Sequence, residues 1–453
     1  MFGLGDLTAA MPLTVLGFYQ LYFMTDVAML PPSLAAWSIL AVKLWDALND
    51  PIMGAISDRL RFKRGRRRVP MLAASAPLGL SFAAIWFVPP FSPIALALWY
   101  TALFMLFDTC FTVFHVSFNA LTPALARGYD ERSSLNGYRM AFSIAGTLGA
   151  VILLTALGWA LPDPRARFAL AGVGLGLFCI VPPLFAYRAT RGYDDEAPPA
   201  AAESGGARPD AAVPALLDAA FESARAVLAN RPFRMVMGLY LFSWTTTAII
   251  SSALIYFVSY YFKRPEHANF LVLVAELAAI AFIPFVVAAA KCWDKRRAFV
   301  GGCASWIAVQ LAISALGPGS LGPAYALAAL IGLGIATAYV LPWAMIPDAI
   351  EGDPGREGSY YAFASFFQKL GTGAALWLMA KAMEAGAYVT PSAAEPFPAQ
   401  PERALAVIRA FMGPVPALLL GAAIAFALFY PLRREAAPES AFAADAGLGG
   451  GGR

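Results

Sequence analysis

Charge, histidine and cysteine are all scarce in this chain. Of 453 residues only 14% are charged, two are His and four are Cys. The cysteines (Cys110, Cys179, Cys292, Cys303) show no CxxC or CxxH spacing, which argues against a zinc, haem or disulfide framework and leaves reduced, inert thiols. No GxxxxGKS or GxxxxGKT occurs, so there is no P-loop to drive transport or chemistry with ATP. The GxG pairs Gly172/Gly174 and Gly332/Gly334 sit inside apolar runs without a strand before them, and read as helix-packing positions rather than a dinucleotide fingerprint. Asp108 and His115 are the one weak catalytic pairing and lack a nucleophile at a convincing spacing, so no enzyme and no cofactor are expected. A net charge of +4, with the basic residues in short loops, offers no groove for nucleic acid.

What the chain has in abundance is apolar sequence. Hydrophobic residues make up 59% and the mean hydropathy is +0.63, against roughly 45–50% apolar in soluble domains. This is the composition of an all-α, polytopic membrane protein. Apolar windows of about 20 residues between charged or Pro/Gly breaks predict twelve transmembrane helices near 4–27, 33–57, 70–88, 94–122, 137–160, 167–188, 233–261, 268–290, 298–316, 322–346, 359–385 and 404–431. The first of these lacks a basic n-region and a cleavage site, and reads as a retained span rather than a signal peptide.

Arg59, Arg61, Lys63, Arg64, Arg66, Arg67 and Arg68 crowd the loop after the second span, and Lys291, Lys295, Arg296 and Arg297 the loop after the eighth. Both loops are expected on the cytoplasmic side, with both termini inside a bacterial-type plasma membrane. Residues 191–232 turn Ala/Pro/Gly-rich and then offer an apolar-striped stretch from Ala212 to Asn230, which reads as a flexible linker followed by a surface amphipathic helix. Six spans (1–190), a linker (191–232), six spans (233–432) and a disordered tail (433–453), with a basic loop at the same place in each half, is the plan of the major facilitator fold.

Within this apolar chain, Lys43-Leu-Trp-Asp46-Ala-Leu-Asn49-Asp50-Pro-Ile-Met-Gly puts two acids and one base in a membrane helix. Their spacing of three and four places them on one face. A charge near the bilayer centre costs at least ~2.5–3.5 kcal/mol, so the carboxylates need a partner, a proton or a bound cation. Hard cations prefer oxygen ligands, so Asp46 and Asp50 are the candidate metal-ion ligands, with the amide of Asn49 beside them. A purely structural Lys–Asp network is the rival explanation.

Asp108, Thr112, His115 and Asn119 form one stripe on the fourth helix. Thr112 can add a hydroxyl to the ion site, and His115 can donate to a solute, take up a proton or simply bond a neighbouring helix. Arg139 opens the fifth helix after Asp130-Glu131-Arg132 and either enters the cavity or pairs with cytoplasmic acids. Ser243, Thr245, Thr246, Thr247, Ser251 and Ser252 give the seventh helix a hydrophilic wall, Glu276 is an isolated acid in the eighth, and Lys369 is the counter-charge expected beside Asp46 and Asp50.

These motifs resemble the glycoside–pentoside–hexuronide:cation symporter family. The helix-2 stretch Lys43–Gly54 is similar to its cation motif and Gly65-Arg-Arg-Arg to the loop behind it; further matches are Tyr22–Val27, Glu131-Arg132 leading to Tyr138-Arg139, Trp343 with Pro347-Asp348, and Phe367-Gln-Lys-Leu-Gly371. The resemblance implies Asp46, Asn49, Asp50 and Thr112 as cation ligands, Lys369 and Lys43 as their charge partners, and Arg139 and Trp343 facing the solute. His115, Asn119 and Asp108 complete the expected solute-binding set. The family's sugar-binding acids of helices 1 and 4 align with Ala10 and His115, and its stacking Trp with Asn119, which points away from a galactoside. Phe114-His115-Val116, Ala120-Leu121-Thr122 and Tyr138-Arg139-Met140 are also similar to sodium-dependent lysophosphatidylcholine symporters. The expected function is symport of a sugar-like solute with Na+ or H+ by alternating access, acting as a monomer in the bilayer; the alternative is cation-coupled transport of a lysophospholipid or another amphiphilic or anionic solute.

Overall fold

The computed structural model describes residues 2–59, 68–125, 129–191, 225, 227–350, 357–392, 395 and 397–431, and every regular element among them is helical. The first bundle contains α1 (Gly5–Tyr22), α2 (Pro32–Arg59), α3 (Arg68–Ile85), α4 (Pro93–Leu125), α5 (Tyr129–Ala160) and α6 (Pro164–Ala189). The second contains α7 (Arg231–Tyr256), α8 (Ala268–Trp293), α9 (Lys295–Ala315), α10 (Leu321–Ile350), α11 (Glu357–Ala385), α12 (Glu402–Met412) and α13 (Pro414–Leu428). Ten helical stretches are apolar and long enough to cross a bilayer. Two more helices of comparable length, α2 and α11, carry the membrane charges Lys43, Asp46 and Lys369 and fall outside that set.

Several helices run past their apolar windows. α5 starts at Tyr129, eight residues before the window, and α10 continues to Ile350, because a helix projecting into the interface keeps its hydrogen bonds while its side chains turn polar. The window at 404–431 is two helices rather than one. Gly413 (φ −130°, ψ −84°) separates α12 from α13, and Pro414 begins the new helix, where its missing N–H costs nothing. The linker, most of the amphipathic stretch, the tail and the loop 60–67 lie outside the described residues.

Small residues let helices approach closely within each bundle. A Cβ added at Gly79 on α3 would lie 2.4 Å from the carbonyl oxygen of Gly176 on α6, so this crossing is held by backbone-to-backbone contact. Arg68, expected on the water-facing loop, is instead buried at the start of α3. Its guanidinium donates to Thr190 Oγ1 (3.1 Å) and the Tyr187 carbonyl (2.6 Å) and lies over the Tyr187 ring, tying α3 to the end of α6.

The two bundles meet along α1/α7, α2/α11 and α5/α8. α1 ends in a π-turn at Phe23–Val27 and α7 in another at Phe257–Tyr261, the same place in each half. At this end the halves are joined: Tyr19 Oη donates to Asn269 (2.6 Å), Thr25 and Tyr256 share a hydroxyl contact (2.6 Å), and Ser252 bonds the Gly17 carbonyl. The halves are joined again midway along α2/α11, where Lys369 donates to Asp46.

Candidate functional site

The first polar cluster forms where α2, α4 and α11 meet. α2 and α11 run antiparallel in register: Trp37 packs edge-to-face on Trp377 (5.4 Å), Lys43 passes Gly373, and Asp46 meets Lys369. A Cβ on Gly373 would lie 2.6 Å from Lys43 Cβ, so glycine is what lets the charged face of α2 approach α11. The Lys369 ammonium lies 2.5 Å from Asp46 Oδ1 and Lys43 lies 3.5 Å from Oδ2, with the Asp46 side chain 10% exposed. Asn49 Nδ2 donates to Asp108 Oδ2 (3.2 Å) and Thr112 Oγ1 (3.1 Å), fastening α2 to α4.

The family resemblance implies that Asp46, Asn49, Thr112, Lys43 and Lys369 lie together, and the structure brings these five side chains together. The side chain of Asp50 lies outside the described residues, so its pairing with Asp46 is not seen. Asp108, expected among the solute-binding residues, is held by Asn49 and belongs to this cluster. The periodicity of α4 puts Asp108 and His115 on one stripe, but its seven-residue spacing spans nearly two turns, about 10 Å along the axis.

His115 and Asn119, at the other end of that stripe, belong to a second cluster with α1 and α5. Arg139 donates through Nε and Nη2 to both carboxylate oxygens of Asp6, at 2.9 and 3.0 Å. Nη2 also donates to Asn119 Oδ1 (2.6 Å), and the Asn119 amide reaches His115 Nε2 at 3.1 Å. The guanidinium lies over the Phe118 ring at 4.7 Å, and His115 stacks on Phe111. Arg139 therefore pairs with an acid of α1, a residue that sequence reasoning passed over. Its signal was a lone carboxylate in an apolar run, one helical turn before Ala10.

Trp343, the remaining predicted solute residue, lies in the other bundle. It stacks on Tyr361 (5.9 Å, 10°) and meets Tyr240 edge-on (5.5 Å), while Tyr240 and Tyr339 both pack on Trp244. Trp343 remains 40% exposed within this aromatic group, which α7, α10 and α11 build together. One turn on, Asp348 receives the Lys295 ammonium at 2.6 Å. Glu276 is buried in α8.

A further acid closes the joined end. Asp26, in the π-turn of α1, accepts hydrogen bonds from Tyr260 in the π-turn of α7, from Tyr388 (2.8 Å) after α11, and from Thr25 (2.5 Å). Tyr256 packs edge-on against Tyr22 and Tyr388 around it. Asp26 lies within the Tyr22–Val27 match, yet nothing in that stretch alone identifies partners more than 230 residues away. Nearby, a cavity of about 220 Å³ between α1, α5, α6 and α8 is bordered by Tyr19, Trp159, Arg167, Asn269 and Phe397, and touches neither polar cluster.

Two helical bundles that meet along three helix pairs, with a buried charge cluster where α2, α4 and α11 meet, have the architecture of the major facilitator class. Across residues 1–434 the chain matches, and belongs to, the family described as MFS/sugar transport protein. It is 30% identical to an uncharacterized symporter of Synechocystis, over 96% of this chain and 93% of that protein. It is 25% identical to the sodium-dependent lysophosphatidylcholine symporter 1 of Xenopus tropicalis (93% and 84% covered) and 25% identical to the sphingosine-1-phosphate transporter MFSD2B of the same organism (94% and 86%). Among solved structures it is similar to a bacterial homolog of the human lysosomal transporter Spinster (TM-score 0.67, 16% identity, 95% of each chain). It is also similar to the xylose transporter XylE from E. coli (TM-score 0.61, 11% identity, 96% and 98%). These relatives are transporters and symporters, not enzymes.

Proposed function

We propose that this protein is a cation-coupled symporter, with Na+ or H+ as the coupling ion, whose solute carries a charged polar head on an apolar body. The observation that carries this reading is the division of labour between the halves. Apart from the ion cluster, the first half presents a charged node, Arg139 with Asp6, Asn119 and His115; the second presents an aromatic group led by the half-exposed Trp343. A head group suits the former and an apolar body the latter. The sodium-dependent lysophosphatidylcholine symporters among the relatives support both the ion and the solute class. A sugar-like solute is the second reading, supported by the family description and by Asp6, which returns a helix-1 carboxylate one turn from Ala10.

In this reading all twelve predicted spans cross the membrane, the basic loops face the cytoplasm, and the conformation described above is closed to the outside. The coupling ion enters at Asp46, Asn49 and Thr112, with Asp50 beside them, and competes with Lys369 for Asp46. Losing Lys369 frees α11 from α2, so ion binding and the α2/α11 seam are linked, and solute and ion tighten each other's sites equally. Uptake into proteoliposomes of a labelled lysophospholipid and of labelled sugars, with and without an inward Na+ gradient, tests the proposal. Gradient-driven accumulation of the lysophospholipid supports it, accumulation of a sugar alone moves the solute to the second reading, and gradient-independent equilibration of either removes the coupling.

A further inference from the structure

The guanidinium of Arg139 is committed to protein acceptors before any solute arrives. Asp6 takes two of its N–H groups at 2.9 and 3.0 Å, Asn119 takes another at 2.6 Å, and Phe118 and Phe2 cover it at 4.7 and 5.9 Å. Both side chains of the ion pair are 15% exposed. A solute anion takes the Nε/Nη2 edge of Arg139 by displacing the Asp6 carboxylate, and a mostly buried carboxylate left unpaired costs more than a like-for-like exchange of acceptors returns. A head group with a cation next to its anion avoids that cost, because it pairs with both ends of the opened bridge.

We propose that Asp6 is the specificity-determining residue of this node: it selects a dipolar head, cation toward Asp6 and anion toward Arg139, and rejects a head that is only anionic. This rests on the amphiphile reading above and assigns to that solute the charge pattern of its head. Asp6 thus acts as a built-in competitor at the anion site. Both of its carboxylate oxygens accept from the guanidinium, which keeps the competition in place.

The test is binding to the purified full chain in nanodiscs, read by tryptophan fluorescence, with three short-chain probes used as monomers: hexylphosphocholine, hexyl phosphate and hexyl glucoside. The wild type is expected to bind the zwitterion at least tenfold more tightly than the anion. In Asp6→Asn the order reverses, with hexyl phosphate gaining at least tenfold and hexylphosphocholine losing affinity, whereas Asp6→Glu keeps the wild-type order. A ratio unchanged within about twofold in Asp6→Asn overturns the proposal, as does a wild type that binds hexyl phosphate as tightly as hexylphosphocholine. If Asp6→Asn fails to fold, the same reversal is read in Asp6→Ser, and the wild-type ratio still stands as a test that can overturn the proposal. Tighter binding of hexyl glucoside than of either charged probe overturns it in favour of a hydroxyl-rich solute. An inverted ratio in Asp6→Asn, with no Na+-driven uptake of a long-chain lysophospholipid by the wild type, upholds the role of Asp6 and removes the amphiphile-transport reading instead.

Discussion

In the proposed mechanism coupling turns on Asp46, because it holds two ammonium groups in a position where an ion would need the same oxygens. Asp46→Asn is expected to abolish gradient-driven accumulation while leaving solute exchange, since the amide keeps the shape and loses the charge; unchanged concentrative uptake would remove Asp46 from the ion site. Lys369→Ala removes the competing ammonium at 2.5 Å. Apparent cation affinity should rise by roughly tenfold, about 1.4 kcal/mol, measured from the Na+ dependence of uptake or fluorescence. An unaltered dependence would show that the Lys369–Asp46 pair is only structural. At the second node, His115→Ala should weaken solute binding by several-fold and leave cation affinity within about twofold, because His115 supports Asn119 and through it Arg139 rather than the ion cluster. Equal losses in both affinities would place the histidine in the common scaffold.

Among the elements, the π-turns ending α1 and α7 hold the joined end together. Asp26 accepts from Tyr260 and Tyr388, and a hydrogen bond to such an acceptor contributes about 1–3 kcal/mol. Tyr260→Phe with Tyr388→Phe is therefore expected to shift the conformational equilibrium at least tenfold toward opening at this end. The readout is the labelling rate of a cysteine at Ser252, buried between the halves, in a background where the exposed Cys292 is replaced by Ser. No change in that rate would mean that packing alone closes the end. The α3/α6 crossing makes a prediction about stability. Gly79→Val drives a side chain into the Gly176 carbonyl and Ile180, and should cost about 1–3 kcal/mol, seen as a lower unfolding temperature in detergent.

At the scale of the whole molecule, the basic loops predict sidedness. A cysteine at Arg64 should resist an impermeant reagent added to intact cells, and its modification would reverse the proposed orientation. The membrane class and the ten strongly apolar spans were legible in the chain because they depend on runs of residue types that a bilayer forces into helices, and the transporter family was legible in motifs such as Lys43–Gly54. Lys43, Asp46 and Asp50 drew attention for a related reason: a charge inside an apolar helix is expensive wherever the helix packs, and helical spacing alone puts them on one face.

The sequence by itself therefore determined which residues had to be explained. Only the tertiary structure decided their partners. It gave Asp108 to Asn49 rather than to His115, Arg139 to Asp6, and Asp26 to two tyrosines of the other half. Periodicity along one helix fixes a face but not the helix opposite, and in these pairings the partner lies 59, 133, 234 and 362 residues away. The close passage of Lys43 by Gly373 that brings Lys369 to Asp46 has the same origin: a missing side chain on one helix has meaning only once another helix is pressed against it.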